Sequence, residues 1–227
     1  MATAETEAEI RNELEEIIEV LEAGKEASTS AASGTATLAL LSTLSLHYEP
    51  QAYRFLESLT PILEILNNAP MLSPPLQSPV SSLVACLASI PIQASQSFPE
   101  SAVDKLADIL ESGILAYGTG GGRELMSLFI ALLRLAQSES VAAQSQLRAR
   151  LLPSDQDWAK PLGQGDSLPH KLIHLATTSA AAEVRGISMV VLFELSNKNE
   201  SEFVRNVGPS NAAEFLASRG PSSQREI

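Results

Sequence analysis

The sequence predicts an all-α fold: stacked helical units of the armadillo or HEAT kind, an α-solenoid. Three observations carry this. Few segments alternate apolar and polar residues with period two, while apolar residues recur at helical spacing along most of the chain. Apolar residues make up 44% of the sequence but aromatics only 4%, so Leu and Ala supply the apolar surface, which suits closely packed helices. Apolar helical units also return roughly every 40–45 residues, centred near 40–65, 82–110, 125–150 and 170–195, the spacing of units of two or three helices. A chain of 227 residues is long enough for such a short array.

Taken in order, residues 1–33 are expected to form an acidic helix and a flexible linker. Ile10, Leu14, Ile17, Ile18 and Leu21 share one helical face, with Glu on the other. Gly24 to Gly34 is a Ser, Ala, Thr and Gly run without a packing pattern. The repeats are expected over 34–220. Leu38–Leu46 and Ala52–Leu66 read as a helical pair broken at Glu49-Pro50, and Pro61 either sits in the first turn of a helix or kinks one. Asn67 to Pro79 is a proline-rich connector. In it, Ser73-Pro74 and Ser78-Pro79 are turn dipeptides or proline-directed phosphorylation sites.

Val80–Ile90 is a short buried helix ended by Pro91. Ser101–Ala116 is amphipathic, with Val103, Leu106, Ile109 and Leu110 on one face. Gly118 to Gly122 is a mobile turn. Leu125–Leu135 is strongly apolar. Val141–Leu151 is more polar, and its Arg148 and Arg150 lie where cations suit the helix dipole. Leu152 to Ser167 is a long polar loop holding Trp158, the single tryptophan. Leu168–Thr178 is the next helix, and 221–227 a frayed tail.

The chain is organised around Glu183 to Gly220. Ile187, Met189, Val190, Val191, Leu192, Phe193 and Leu195 put apolar side chains on nearly every face, so this helix is expected to be covered on all sides. The polar run Asn197 to Glu200 ends it. Asn199 or Ser201 caps the next helix, which carries Phe203, Val204 and Val207. Gly208-Pro209 stops that helix by supplying a positive φ and removing a donor. Ser210 or Asn211 caps a third, with Ala212, Ala213, Phe215 and Leu216, closed by Gly220-Pro221.

Charge and motifs exclude several functions. A formal net charge of −12 repels phosphate, which argues against nucleic acid and against anionic membrane surfaces as partners. Cys86 is the single cysteine, cannot pair internally, sits between Ala85 and Leu87, and reads as a small core residue in an intracellular chain. The N-terminus has no apolar stretch of the signal-peptide kind, and no run is long enough to span a membrane. Gly118–Gly122 followed by Arg123 lacks the Lys-Ser/Thr ending of a phosphate loop, and Gly163-Gln164-Gly165 lacks the third glycine of a dinucleotide loop. His170 and His174 stand at i, i+4, the spacing zinc would use, but have no third ligand and read as a packing or surface pair. The Asn199-Glu200-Ser201 glycosylation pattern has no meaning in an intracellular chain. No catalytic constellation stands out, so no enzyme chemistry, cofactor, metal or small-molecule substrate is expected.

FELSNKNESEFVRNVGPSNAAEFLASRG resembles the late helical-repeat segment of the synembryn ("resistance to inhibitors of cholinesterase") family. Phe203-Val204-Arg205, Gly208, Asn211-Ala212-Ala213 and Ala217-Ser218-Arg219-Gly220 carry the likeness. LRARLLPSDQDWAKPLGQGDSLPHKLIHLAT (147–177) is similar to the family's linker and Leu-rich helix, and PPLQSPVSSLVACLASIPI (74–92) to its proline-rich entry into a short apolar helix. The likeness is expected over residues 35–220 and the later half of the family's array, so a shortened form is anticipated.

The resemblance implies a guanine-nucleotide exchange factor and folding chaperone for Gα, the α subunit of heterotrimeric G proteins. An armadillo superhelix in that family grips the C-terminal helix of Gα on its concave face, GDP leaves, and no catalytic side chain is required. Cytoplasmic residence follows, at the cell cortex through the G-protein partner. The alternative is a helical-repeat scaffold for another protein, without exchange activity. Within the resembling block, Arg185, Arg205, Asn206 and Asn211 read either as capping residues of helix ends or as contacts to the G-protein surface.

Overall fold

A computed structural model describes residues 56, 58–90, 92, 98–120 and 122–219 (of Arg123, the backbone). Among them lie nine α-helices and no strand: α1 Leu59–Asn68, α2 Val80–Ser89, α3 Glu100–Tyr117, α4 Arg123–Gln137, α5 Val141–Leu151, α6 Leu168–Thr178, α7 Ala182–Leu195, α8 Glu200–Val207 and α9 Pro209–Arg219. The expected helix at Leu38–Leu46, the acidic helix and linker at 1–33, and the tail at 221–227 fall outside the described residues.

The all-α helical-repeat reading holds. In one row α4 lies between α2 and α7; in the other α3 packs on α1, α5 and α6. α6 crosses onto α7, and α8 and α9 continue the stack beyond it. A continuous apolar core runs from Leu59 to Ala212. Val103, Leu106, Ile109 and Leu110 are all buried in it, as their shared face requires, and Cys86 is fully buried as a small core residue.

Local chemistry explains the ends of the helices. Pro61 is buried in the first turn of α1, where its missing N–H costs nothing, so it starts the helix instead of kinking it. Asn197 and Lys198 both take the left-handed conformation, with φ of 57° and 56°, and turn the chain sharply out of α7. Asn199 caps α8, its side chain accepting from Glu202 N at 3.0 Å. Gly208, at φ 88°, ends α8 while its N–H still reaches Val204 O at 2.9 Å.

Three expectations change. α9 starts at Pro209, so neither Ser210 nor Asn211 precedes it as a cap; Pro209 opens the helix and the Asn211 amide donates back to Val207 O at 2.7 Å. Gly118 to Gly120 form a short 3-10 turn, and Thr119 O docks it by accepting from Ala180 N at 3.0 Å and Ser179 Oγ at 3.1 Å. Lastly, α7 is not covered all round: Ile187 and Val190 are half-buried and Glu183 and Gly186 exposed. Arg148 and Arg150 do lie in the last turn of α5, as expected, and each also ties α5 to a neighbour: Arg150 reaches Asp104 at 3.0 Å and Asp108 at 2.5 Å on α3, and Arg148 donates to Asn197 in the turn after α7.

Candidate functional site

The open face of α7 continues onto α4. The two helices run parallel, since their first turns line one cleft and Gln137 Nε2 donates to Glu194 Oε1 at 3.1 Å near their last turns. Along α4, Met126, Ile130 and Leu133 are half-buried, with Gln137 exposed beyond them. Along α7 the same row is Glu183, Ile187, Val190 and Glu194. Both rows follow i, i+4, i+7, i+11 spacing, so each is a single stripe on its helix. The opposite faces bury Leu125, Leu128, Phe129 and Leu132 on α4, and Val184, Val191, Leu192 and Leu195 on α7. What remains outside is an apolar floor two helices wide with polar residues at both ends. A floor of this kind receives the apolar face of another helix.

The close approach at the first turns depends on Gly122. A Cβ there would lie 2.4 Å from Ala181 Cβ and 3.3 Å from Val184 Cγ2. The cleft above it has a volume of about 490 Å3 and is lined by Gly120, Gly122, Glu124, Met126, Glu183 and Val184. At the other end of the stripe, Glu194 also receives Lys198 Nζ at 3.2 Å.

A second feature is the fastening of the loop between α5 and α6. Asp157 accepts from Ser154 N at 2.8 Å, Ser154 Oγ at 2.7 Å and Ser167 Oγ at 2.5 Å. Ser167 Oγ also meets Nδ1 of the buried His170 at 2.9 Å. Burial alone would raise the Asp157 carboxyl. The three hydrogen bonds, with the attraction of His170, outweigh it and lower the pKa from 3.8 to about 2. Gly165 is needed beside this cluster, because a Cβ there would press into the His170 ring at 2.7 Å. His170 and His174 therefore differ: the first is buried in the fastening, the second exposed. The cluster escapes a reading of spacing alone because its four residues meet only when the loop folds back. The available signal was Ser154-x-x-Asp157, a local side-chain-to-backbone turn pattern.

The four residues singled out within the Glu183–Gly220 block separate into two places. Arg185, in the first turns of α7, donates from Nη1 to Ser179 O at 2.5 Å and so holds the end of α6. The other three lie beyond the far end of α7, about 16 Å along its axis at 1.5 Å per residue. Asn206 is buried, its Nδ2 donating to Ser196 Oγ at 2.9 Å. Asn211 is half-buried and bonded to Val207 O. Arg205 is exposed, its guanidinium 5.3 Å from the centre of the Trp158 ring. Trp158 is itself 43% exposed. Sequence reasoning had not brought out the α4–α7 stripe, nor Trp158 as a neighbour of Arg205.

Among the described residues, no group of three His, Cys, Asp or Glu is arranged to hold a metal ion, and no helix is long and apolar enough to cross a membrane. The family model "guanine nucleotide exchange factor synembryn" matches residues 3–226. That range takes in the first 33 residues, which corrects the expectation that the likeness begins near residue 35. The chaperone Ric-8A of Xenopus laevis is 33% identical over 98 residues, 43% of this chain and 18% of the relative. The chain thus spans less than a fifth of the length of the curated relative it matches. With a match along almost its whole length, the chain belongs to the guanine nucleotide exchange factor synembryn family.

Proposed function

We propose that this chain binds Gα and acts on it as an exchange factor and folding chaperone. What carries the reading, beside membership of the family, is the open apolar stripe of Ile130, Leu133, Ile187 and Val190. It has the width and spacing to take one face of the C-terminal Gα helix. Holding that helix away from the nucleotide domain favours the form of Gα without GDP. Release then comes from unequal binding of two states, with no bond made or broken by this chain. Exposed Arg205, stacked on Trp158, is proposed as a second contact, since Arg and Trp are the side chains that most often anchor interfaces. The reading assigns the chain to the cytoplasm, and to the cell cortex where its partner sits.

The test is GDP release from purified Gα with and without the 227-residue chain, run beside co-elution. Faster release is the expected result. Ile130→Asp with Val190→Asp should weaken co-elution by about 30-fold or more while the helical circular dichroism stays unchanged. Co-elution without faster release would cut the reading back to Gα binding alone. Neither effect from a folded chain would overturn the reading and favour the scaffold for another protein.

A further inference from the structure

The α4–α7 stripe is unsymmetrical in charge. At one end, Glu124 and Glu183 lie in the first turns of their helices and line the same cleft of about 490 Å3. Both are exposed, and neither side chain makes a hydrogen bond or ion pair with another described residue. Their cleft is walled by Met126 and Val184, apolar side chains that strengthen any charge contact formed between them. At the other end, Glu194 is already matched by Gln137 at 3.1 Å and Lys198 at 3.2 Å. The floor between Glu183 and Glu194 is about 16 Å long, or three turns of a partner helix.

We infer that Glu124 and Glu183 select a partner helix carrying Lys or Arg at one end of its apolar face, and so fix which way round it lies. The inference rests on the reading of the α4–α7 stripe as the docking face. The occupant is a protein segment of about three helical turns, apolar on one side, with its basic end over the cleft. The apolar floor supplies the burial, and the two carboxylates supply register and discrimination. The net charge of −12 adds a long-range attraction for such a segment.

Two synthetic helical peptides with the same apolar face test this, one with two Lys at an end and one with two Glu there. Each is titrated by fluorescence anisotropy into the full chain at low and high NaCl. The Lys peptide should bind about tenfold tighter at low salt, and the gap should shrink as salt rises. Glu124→Gln with Glu183→Gln should erase the preference and keep the residual apolar binding; Glu124→Lys with Glu183→Lys should reverse it. Equal binding of both peptides, or a preference untouched by the Gln variant, would overturn the inference. The docking face is read separately from Gα co-elution with Ile130→Asp and Val190→Asp. Loss there with equal peptide binding overturns the charge selection alone. Unchanged co-elution overturns the docking face, and the inference that rests on it falls with it.

Discussion

Asp157 concentrates several effects in one side chain. Three hydrogen bonds converge on its carboxylate, and each favours the charged form. Its folded pKa is depressed from 3.8 to about 2, so its contribution to stability is present above pH 3.8 and is lost as pH falls through about 2. Screened by solvent at a half-buried loop position, that shift corresponds to on the order of 1 kcal/mol. Asp157→Asn should therefore be less stable than the wild type at neutral pH by roughly that amount, with the gap closing between about pH 4 and pH 2. Urea unfolding at a series of pH values measures the gap directly. A gap that stays constant down to pH 2 would mean the carboxylate's charge plays no part. The buried Asn206 contrasts with it: one hydrogen bond to Ser196, no charge, and no pH dependence expected. Asn206→Ala should cost about 1–3 kcal/mol at every pH, because a buried polar pair is broken and a small gap is left.

At the scale of elements, the closest contact between helices is the one that leaves no room for a side chain. The backbone φ of Gly122, −83°, suits any residue, so the requirement for glycine there is steric alone. Gly122→Ala places a methyl 2.4 Å from Ala181 Cβ, an atom fixed to backbone that cannot swing aside. The first turns of α4 and α7 must then part, at about 1–3 kcal/mol, read as a fall in thermal midpoint. An unchanged midpoint would show that the two turns already move freely. Most helices were legible in the sequence: Val141–Leu151 and Leu168–Thr178 match residue for residue, and α7 falls within one residue at each end. The first two are marked by the residues at their starts, Ser140 as a side-chain cap and Ser167 followed by Pro169 in the first turn. Periodicity does not say which face a neighbour covers. Ile187 and Val190 look like core in the sequence, and only the position of α4 beside α7 leaves them at the surface. The Asp157 cluster was hidden for a related reason, since Asp157 meets Ser167 and His170 only through the fold of a long loop.

Over the whole molecule, a stack in which helices touch mainly their neighbours divides its stability among local interfaces. The far end is held by three phenylalanines. Phe193 lies 5.3 Å from Phe203 and 5.7 Å from Phe215, ring centre to ring centre, and Phe203 and Phe215 are 5.2 Å apart. Arg219 closes the group, 4.7 Å from the centre of the Phe193 ring. Phe203 is fully buried at the centre, so Phe203→Ala should remove about 3–5 kcal/mol of local packing. Among the described helices, α8 makes its main contacts with α7 and α9, and α9 its main contacts with α8. The loss should therefore stay there. In native-state hydrogen exchange, amides of α8 and α9 should open early, while those of α2, α3 and α4 keep their protection. The α4–α7 stripe would remain formed in such a variant, and binding that depends on it should survive. Equal loss of protection in α2 and α8 would instead show that the helices unfold as one cooperative unit, so that damage at the aromatic end weakens the binding face as well.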